Sequence, residues 1–143
     1  MNMDDQCAVL FIPLVIILMQ HIVFATGVMN ARKQYGVKYP NLYASEGDGV
    51  TKEGASRFNC VQRGHQNCLE NLPSFLSLLL TAGLPYPRAA AAAGLVYLVG
   101  RWMYFRGYCT GDPKKRMQGS IMYIGLFSLI GMVIRFAVEL FQL

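Results

Sequence analysis

Long apolar blocks, rather than short alternating runs, decide what this chain can fold into. The first covers residues 8–29 and holds only Gln20 and His21 as strongly polar side chains. Two more, 89–108 and 121–143, are of similar length. A helix needs about 20 apolar residues to cross a hydrocarbon core of roughly 30 Å, so each block predicts one crossing. A further block, 72–84, is too short alone, and its span must recruit the polar segment that begins near Phe58. Half of that helix is then polar at membrane depth. Composition agrees: a chain of 143 residues that is 54% hydrophobic and 15% charged carries more apolar side chains than one small soluble core can hide. The predicted fold class is all-α, an integral membrane four-helix bundle in a single domain, 1–143. Its helices cover about 8–30, 58–84, 88–109 and 117–142, with loops over about 32–57 and 110–116.

A signal peptide competes for the first block. The leader carries Asp4 and Asp5 in place of positive charge, and the apolar run is too long for such a segment, so it reads as an uncleaved anchor. The net charge is +5, and its placement matters more than its size. Arg32, Lys33, Lys38, Lys52 and Arg57 fall between the first two helices, and Lys114, Lys115 and Arg116 between the last two. The positive-inside rule puts both loops in the cytosol, with the acidic N-terminus, the Pro85-Tyr86-Pro87 turn and the C-terminus opposite. Cations that flank spans, with no basic stripe, argue against nucleic-acid binding. Residues 34–56, rich in Gly, Ser, Asp and Pro, predict an irregular loop, and Ala89 to Ala93 with Gly94 predict close helix packing. Cys7, Cys60, Cys68 and Cys109 form no C-x-x-C pair and have no histidine at ligand spacing, so no metal site is expected and free thiols are. Lipidation of Cys109 stays open. His21 reads as a histidine bonded to a neighbouring helix in preference to a proton relay.

Two polar stripes remain to be explained. At about 100° per residue, Arg63, Asn67 and Glu70 fall within roughly 60° of one another on helix two. Tyr97, Arg101, Tyr104 and Tyr108, spaced by four, three and four, form a second stripe on helix three. A charge facing lipid at the bilayer centre costs about 2.5–3.5 kcal/mol, so both stripes should face protein or water. A purely structural network accounts for part of this, with Arg63 paired to Glu70 and Arg101 snorkelling to the surface. It leaves a surplus of donors, because three arginines with Arg116 and two tyrosine hydroxyls face one carboxylate. Such a surplus suits an anionic guest. Pro73 lacks an N–H and frees the carbonyl of Leu69 beside Glu70.

Here the residues resemble a family. Phe58-Asn59-Cys60-Val61-Gln62-Arg63-Gly64-His65-Gln66-Asn67, followed by Glu70 and Pro73, is similar to the helix-two signature of the membrane-associated eicosanoid and glutathione metabolism (MAPEG) superfamily, within it the microsomal glutathione S-transferase 3 branch. Gly100 to Tyr108, then Thr110-Gly111-Asp112-Pro113 and Lys115-Arg116, is similar to the helix-three end of that branch, and Ala31-Arg32-Lys33 with Tyr39-Pro40 also fits. The resemblance implies a homotrimer of four-helix subunits in the endoplasmic reticulum or outer mitochondrial membrane. Glutathione, the co-substrate, would lie in a cytosol-facing cleft between subunits, with no metal. Carried over by position, Arg63, Asn67, Glu70, Tyr104 and Tyr108 match glutathione-holding positions, and Arg32 and Arg101 match cationic positions around the cleft. Arg116 resembles the thiolate-activating arginine. The linker from Tyr108 to Arg116 is one residue longer than in the leukotriene synthase relatives, so Lys115 stays open as the alternative. Asn71 stands where those synthases carry a tyrosine.

The residue types suit the guest. Glutathione carries two carboxylates, an ammonium and a thiol, so a site needs several cations, one anion and hydroxyls. A nearby guanidinium favours the thiolate, the nucleophilic form. The expected function is a glutathione transferase or peroxidase acting on lipophilic electrophiles or lipid hydroperoxides, with leukotriene-synthase-like conjugation among its reactions. The alternative is a non-catalytic, lipid-presenting scaffold resembling the lipoxygenase-activating members, which lack the full constellation. A channel would need polar residues through several helices, and Arg135 and Glu139, one turn apart on helix four, read as an ion pair.

Overall fold

The computed structural model describes residues 3–142, with side chains from Gln6 onward, so the side chains of Asp4 and Asp5 lie outside the described residues. The described residues contain helices, turns and loops and no strand. The order is α1 (Met3–Leu18), a π-helical segment (Met19–Phe24), α2 (Ala25–Tyr35), α3 (Lys52–Gly83), α4 (Pro87–Cys109) and α5 (Met122–Phe141). Short 3-10 segments at Glu46–Asp48 and Pro113–Ile121 lie in the two long connections. Because α1, the π segment and α2 run on without a break, the fold has four rods. Pro113–Phe141, which runs from the second 3-10 segment through α5, makes the fourth.

The helix ends follow local chemistry. Thr51 caps α3 by accepting from the Gly54 N–H at 3.1 Å, which starts the helix about a turn and a half before Phe58. Pro87 opens α4 at a position where no N–H is needed, and Gly36, at φ 71°, closes α2 in the left-handed region. Helix α3 passes through Pro73 unbroken.

Among the described residues two helical stretches, Gln6–Tyr35 and Pro113–Phe141, are long and apolar enough to cross a membrane. With 32 and 23 residues, α3 and α4 extend about 48 and 35 Å at 1.5 Å per residue. Their reach is sufficient, but with polar residues along them they do not meet the same apolar standard. Leu10, Phe11, Leu14 and Ile17 on α1, Leu95 and Val99 on α4, and Ile124, Phe127 and Ile134 on α5 are exposed, so an apolar girdle surrounds the bundle. Inside it, Ile12, Phe75, Leu79, Tyr97 and Leu129 form one core, and Phe24, Val28, Phe58, Val61 and Phe105 form a second toward the long loop. Rings stack across rods, Phe75 on Tyr97 at 3.9 Å and Phe24 on Phe105 at 4.2 Å. The alanine run packs as expected: Ala90, Ala91 and Ala93 are buried, and a methyl at Gly94 would meet Ile12 and Leu79 at 3.1 Å.

One expectation for the first rod is corrected. His21 does not bond a neighbouring helix; it is exposed, and its Nδ1 lies 2.9 Å from the carbonyl oxygen of Ile17, one turn back in its own rod. Gln20 makes the crossing instead. It is 2% exposed, and its amide donates to the His65 carbonyl at 3.4 Å. The wider π turn rotates Gln20 inward and leaves His21 outside.

Candidate functional site

The polar half of α3 faces α4 across a hydrogen-bonded seam. Arg101, 3% exposed, donates from Nε to the Tyr97 hydroxyl at 2.8 Å and from Nη1 to Asn67 Oδ1 at 2.8 Å. Its guanidinium lies 5.0 Å from the Tyr97 ring centre and 5.6 Å from that of Tyr104. Arg101 therefore does not snorkel to the surface, because Asn67 and Tyr97 supply acceptors at depth. One turn to either side of Asn67 on the same face, Arg63 Nη1 donates to Glu70 Oε1 at 2.8 Å. Both side chains are nearly half exposed, at 45% and 44%, so the pair is open to exchange partners. Tyr104 and Tyr108 meet edge to face at 5.2 Å.

Arg116 reaches this seam through backbone contact. The 3-10 segment Pro113–Ile121 crosses α4 at glycines. A methyl at Gly107 would run into the Lys115 carbonyl and sit 2.8 Å from the Arg116 N, and one at Gly119 would sit 2.6 Å from the Tyr104 N and Cβ. Only glycine permits this approach. It puts the Arg116 guanidinium 5.8 Å from the Tyr108 ring centre, and its Nη1 donates to the Pro113 carbonyl at 2.9 Å. Lys115, next along, is exposed.

Above the seam lies a groove of about 610 Å³, lined by Tyr43, Ser45, Lys52, Asn59, Arg63 and Tyr108 among others. Its rim is fastened by Asn59, whose Oδ1 accepts from the Ala44 N–H at 2.8 Å while its Nδ2 donates to the Ala44 carbonyl at 2.9 Å. The loop predicted as irregular is thus pinned over α3. Ser45 donates from its N–H and hydroxyl to Asp48 Oδ2 at 2.8 and 2.9 Å, which holds the exposed Asp48 carboxyl below its ordinary range. Sequence reasoning missed Tyr43, Ser45, Lys52 and Asn59. Asn59 was within reach, since it lies four residues before Arg63 and extends the stripe by one turn.

Seven of the residues singled out by sequence, Arg63, Asn67, Glu70, Arg101, Tyr104, Tyr108 and Arg116, line this seam and its mouth. Arg32 stands apart. Its Nη1 donates to the carbonyls of Asn41 at 2.9 Å and Lys38 at 3.2 Å, and its guanidinium packs 4.4 Å from Tyr39 and 4.9 Å from Phe58. It lines a separate depression of about 330 Å³ with Met29 and Lys33. Among the described residues no three His, Cys, Asp or Glu come together in a way that could hold a metal ion, and all four cysteines are free thiols.

A family model described as the MAPEG family matches residues 10–138. Microsomal glutathione S-transferase 2 of Homo sapiens is 37% identical over 108 residues, which is 75% of this chain and 66% of that protein. Microsomal glutathione S-transferase 2 of Bos taurus is 33% identical over the same shares, and leukotriene C4 synthase of Bos taurus is 33% identical over 114 residues, 79% of this chain and 69% of that one. The chain thus spans about two thirds of the length of the curated relatives it matches. Taken with its two membrane-capable helices and apolar girdle, the match over nearly the whole chain makes this a membrane protein that belongs to the MAPEG family.

Proposed function

We propose that this chain is a glutathione-dependent membrane enzyme that conjugates lipophilic electrophiles, with reduction of lipid hydroperoxides as a second activity. The observation that carries the proposal is the buried Arg101, fixed by Asn67 and Tyr97 with donors to spare. A guanidinium has five N–H donors, and Asn67 and Tyr97 engage only two nitrogens, Nη1 and Nε. Beside it stand Arg63 and Glu70, whose half-exposed pair can open to take a carboxylate and an ammonium. Tyr104 and Tyr108 supply hydroxyls, and Arg116 stands at the Tyr108 end, where a thiol would be ionised. The relatives' names, glutathione S-transferase and leukotriene C4 synthase, support the same chemistry.

In conjugation the thiolate attacks an electrophilic carbon, a C–S bond forms as the bond to the leaving atom breaks, a C–O bond for an epoxide, and the departing oxygen takes a proton. With a hydroperoxide the thiolate attacks the outer oxygen, an S–O bond forms as the O–O bond breaks, and the departing alkoxide takes a proton to leave as the alcohol. A second glutathione then displaces water from the sulfenic product as the disulfide forms. A cation near sulfur serves both by favouring the thiolate. Arg116 fills that role in this proposal, with Lys115 the alternative.

The proposal includes four crossings, both long loops in the cytosol, residence in the endoplasmic reticulum or outer mitochondrial membrane, and assembly as a homotrimer. Arg32 joins the site only if a second copy brings it to the groove, which is one reason to include the trimer.

The test is turnover of purified protein in detergent with glutathione and a panel of a generic electrophile, an allylic epoxide lipid and a fatty-acid hydroperoxide. Arg116→Ala should lose rate far more than glutathione affinity, and Arg63→Ala should lose affinity. Unchanged turnover in Arg116→Ala, with loss in Lys115→Ala, moves the activating role to Lys115. Full glutathione binding by Arg63→Ala removes the proposed pocket.

A further inference from the structure

The outer face of α4 carries a second stripe, unrelated to the first. Leu95, Val99, Trp102 and Arg106 stand at i, i+4, i+7 and i+11, within roughly 60° of one another. The π segment lies alongside and contributes Met19 and Val23. Two adjoining depressions share Trp102. One, of about 480 Å³, is lined by Met19, Leu95, Leu98, Val99 and Trp102, all apolar. The other, of about 360 Å³, continues past Val23 and Phe105 to Arg106 and Thr110. The trough thus runs about 16 Å along the helix, at 1.5 Å per residue, and ends at one cation.

Arg106 is exposed and makes no ion pair among the described residues. Its guanidinium lies 5.4 Å from the Trp102 ring centre, an arrangement that leaves N–H edges free for an anion. A second copy seated here would bury this cation without an acceptor unless it supplied one. A zwitterionic lipid would fill the trough, but its headgroup cation competes with Arg106 for the same phosphodiester, so it gains less there than an anionic one.

We propose that this groove seats one acyl chain of an anionic phospholipid, the chain along Leu95, Val99 and Trp102 against Met19, and the phosphodiester at Arg106. The proposal rests on α4 crossing the bilayer with Arg106 at headgroup level, and it is independent of glutathione chemistry.

Trp102 is the single tryptophan of the chain, so its fluorescence reports on the trough alone. Full-length protein is reconstituted in phosphatidylcholine vesicles, and part of the lipid is replaced by dibrominated phosphatidylglycerol or dibrominated phosphatidylcholine. The phosphatidylglycerol probe should reach half-maximal quenching at about fivefold lower mole fraction, the effect of one cation at an anionic surface. Arg106→Gln should keep the quenching and lose the preference, and Arg106→Lys should retain it. Equal quenching by the two probes in the parent protein means ordinary surrounding lipid only and overturns the proposal. No quenching by either means a second copy covers this face, and a preference that survives Arg106→Gln assigns the headgroup to another cation; either result overturns it too.

Discussion

Arg101 gives the sharpest test of how this fold tolerates a buried cation. Asn67→Ala removes one of the two oxygen acceptors of its side chain, and Tyr97→Phe removes the other while keeping the ring stacked on Phe75. A hydrogen bond to a charged group contributes about 1.5–3 kcal/mol in soluble proteins, whereas side-chain bonds between membrane helices average about 0.6 and reach about 1.7 kcal/mol. Burial decides between these scales. At 3% exposure the guanidinium has little water to turn to, so Asn67→Ala should cost about 1.5 kcal/mol, the top of the membrane range. Tyr97→Phe should cost about 1 kcal/mol, because the cation keeps its face-on contact with the ring. The double variant should exceed the sum by at least about 0.5 kcal/mol, since a cation that loses one oxygen acceptor can lean on the other and one that loses both keeps only the weaker Cys68 sulfur. Reversible unfolding in mixed micelles with increasing sodium dodecyl sulfate, followed by far-UV circular dichroism, measures all three. Single variants within about 0.3 kcal/mol of the parent, or strict additivity, would mean that water reaches Arg101 along the seam, and the burial reasoning would fail.

Three further outcomes follow from the groove and the glycine crossing. Asn59→Ala loses two bonds to Ala44 and should quicken amide exchange at Ala44 and proteolysis within 41–46, at a cost of about 1–2 kcal/mol; unchanged exchange would show that the rim is held elsewhere. Gly107→Ala forces the 3-10 segment off α4 and should cost about 1–3 kcal/mol, with a larger drop in kcat than in glutathione affinity; a fully active variant would detach Arg116 from catalysis. For Asp48, the folded carboxyl titrates below its unfolded value, so its bonds from Ser45 are intact above the ordinary aspartate pKa of about 3.9 and are lost as pH falls through the folded value. Exchange at the Ser45 amide, corrected for its intrinsic rate, should therefore rise only in that acid range, while the Ala44 amide, held by a side chain that does not titrate, stays protected.

Periodicity made much of the site legible. The spacings of Arg63, Asn67 and Glu70 and of Tyr97, Arg101, Tyr104 and Tyr108 place them on facing stripes, and the helices turn those stripes toward each other. Charge bookkeeping did less well with Arg101, because one-dimensional spacing does not reveal that Asn67 and Tyr97 lie within bonding distance of the same guanidinium. The role of Arg32 in tying down the turn after α2 was hidden for a different reason. Its partners are backbone carbonyls, which carry no side-chain signature. The π segment escaped notice because a single wide turn changes which of two adjacent polar residues faces inward without altering the apolar pattern around it. The pinned loop over α3 rests on one Asn side chain reading one peptide group, a device that composition masks among Gly, Ser and Asp.

At Gly107 and Gly119 main chain rests on main chain, so the separation between the Arg116 backbone and α4 is dictated by the thickness of a peptide. A gauge of that kind does not wear: side chains around it can change shape without moving the backbone from which Arg116 projects. Its weakness is the gauge itself: one added carbon at either glycine should shift the segment that carries Arg116 while removing none of the site's side chains.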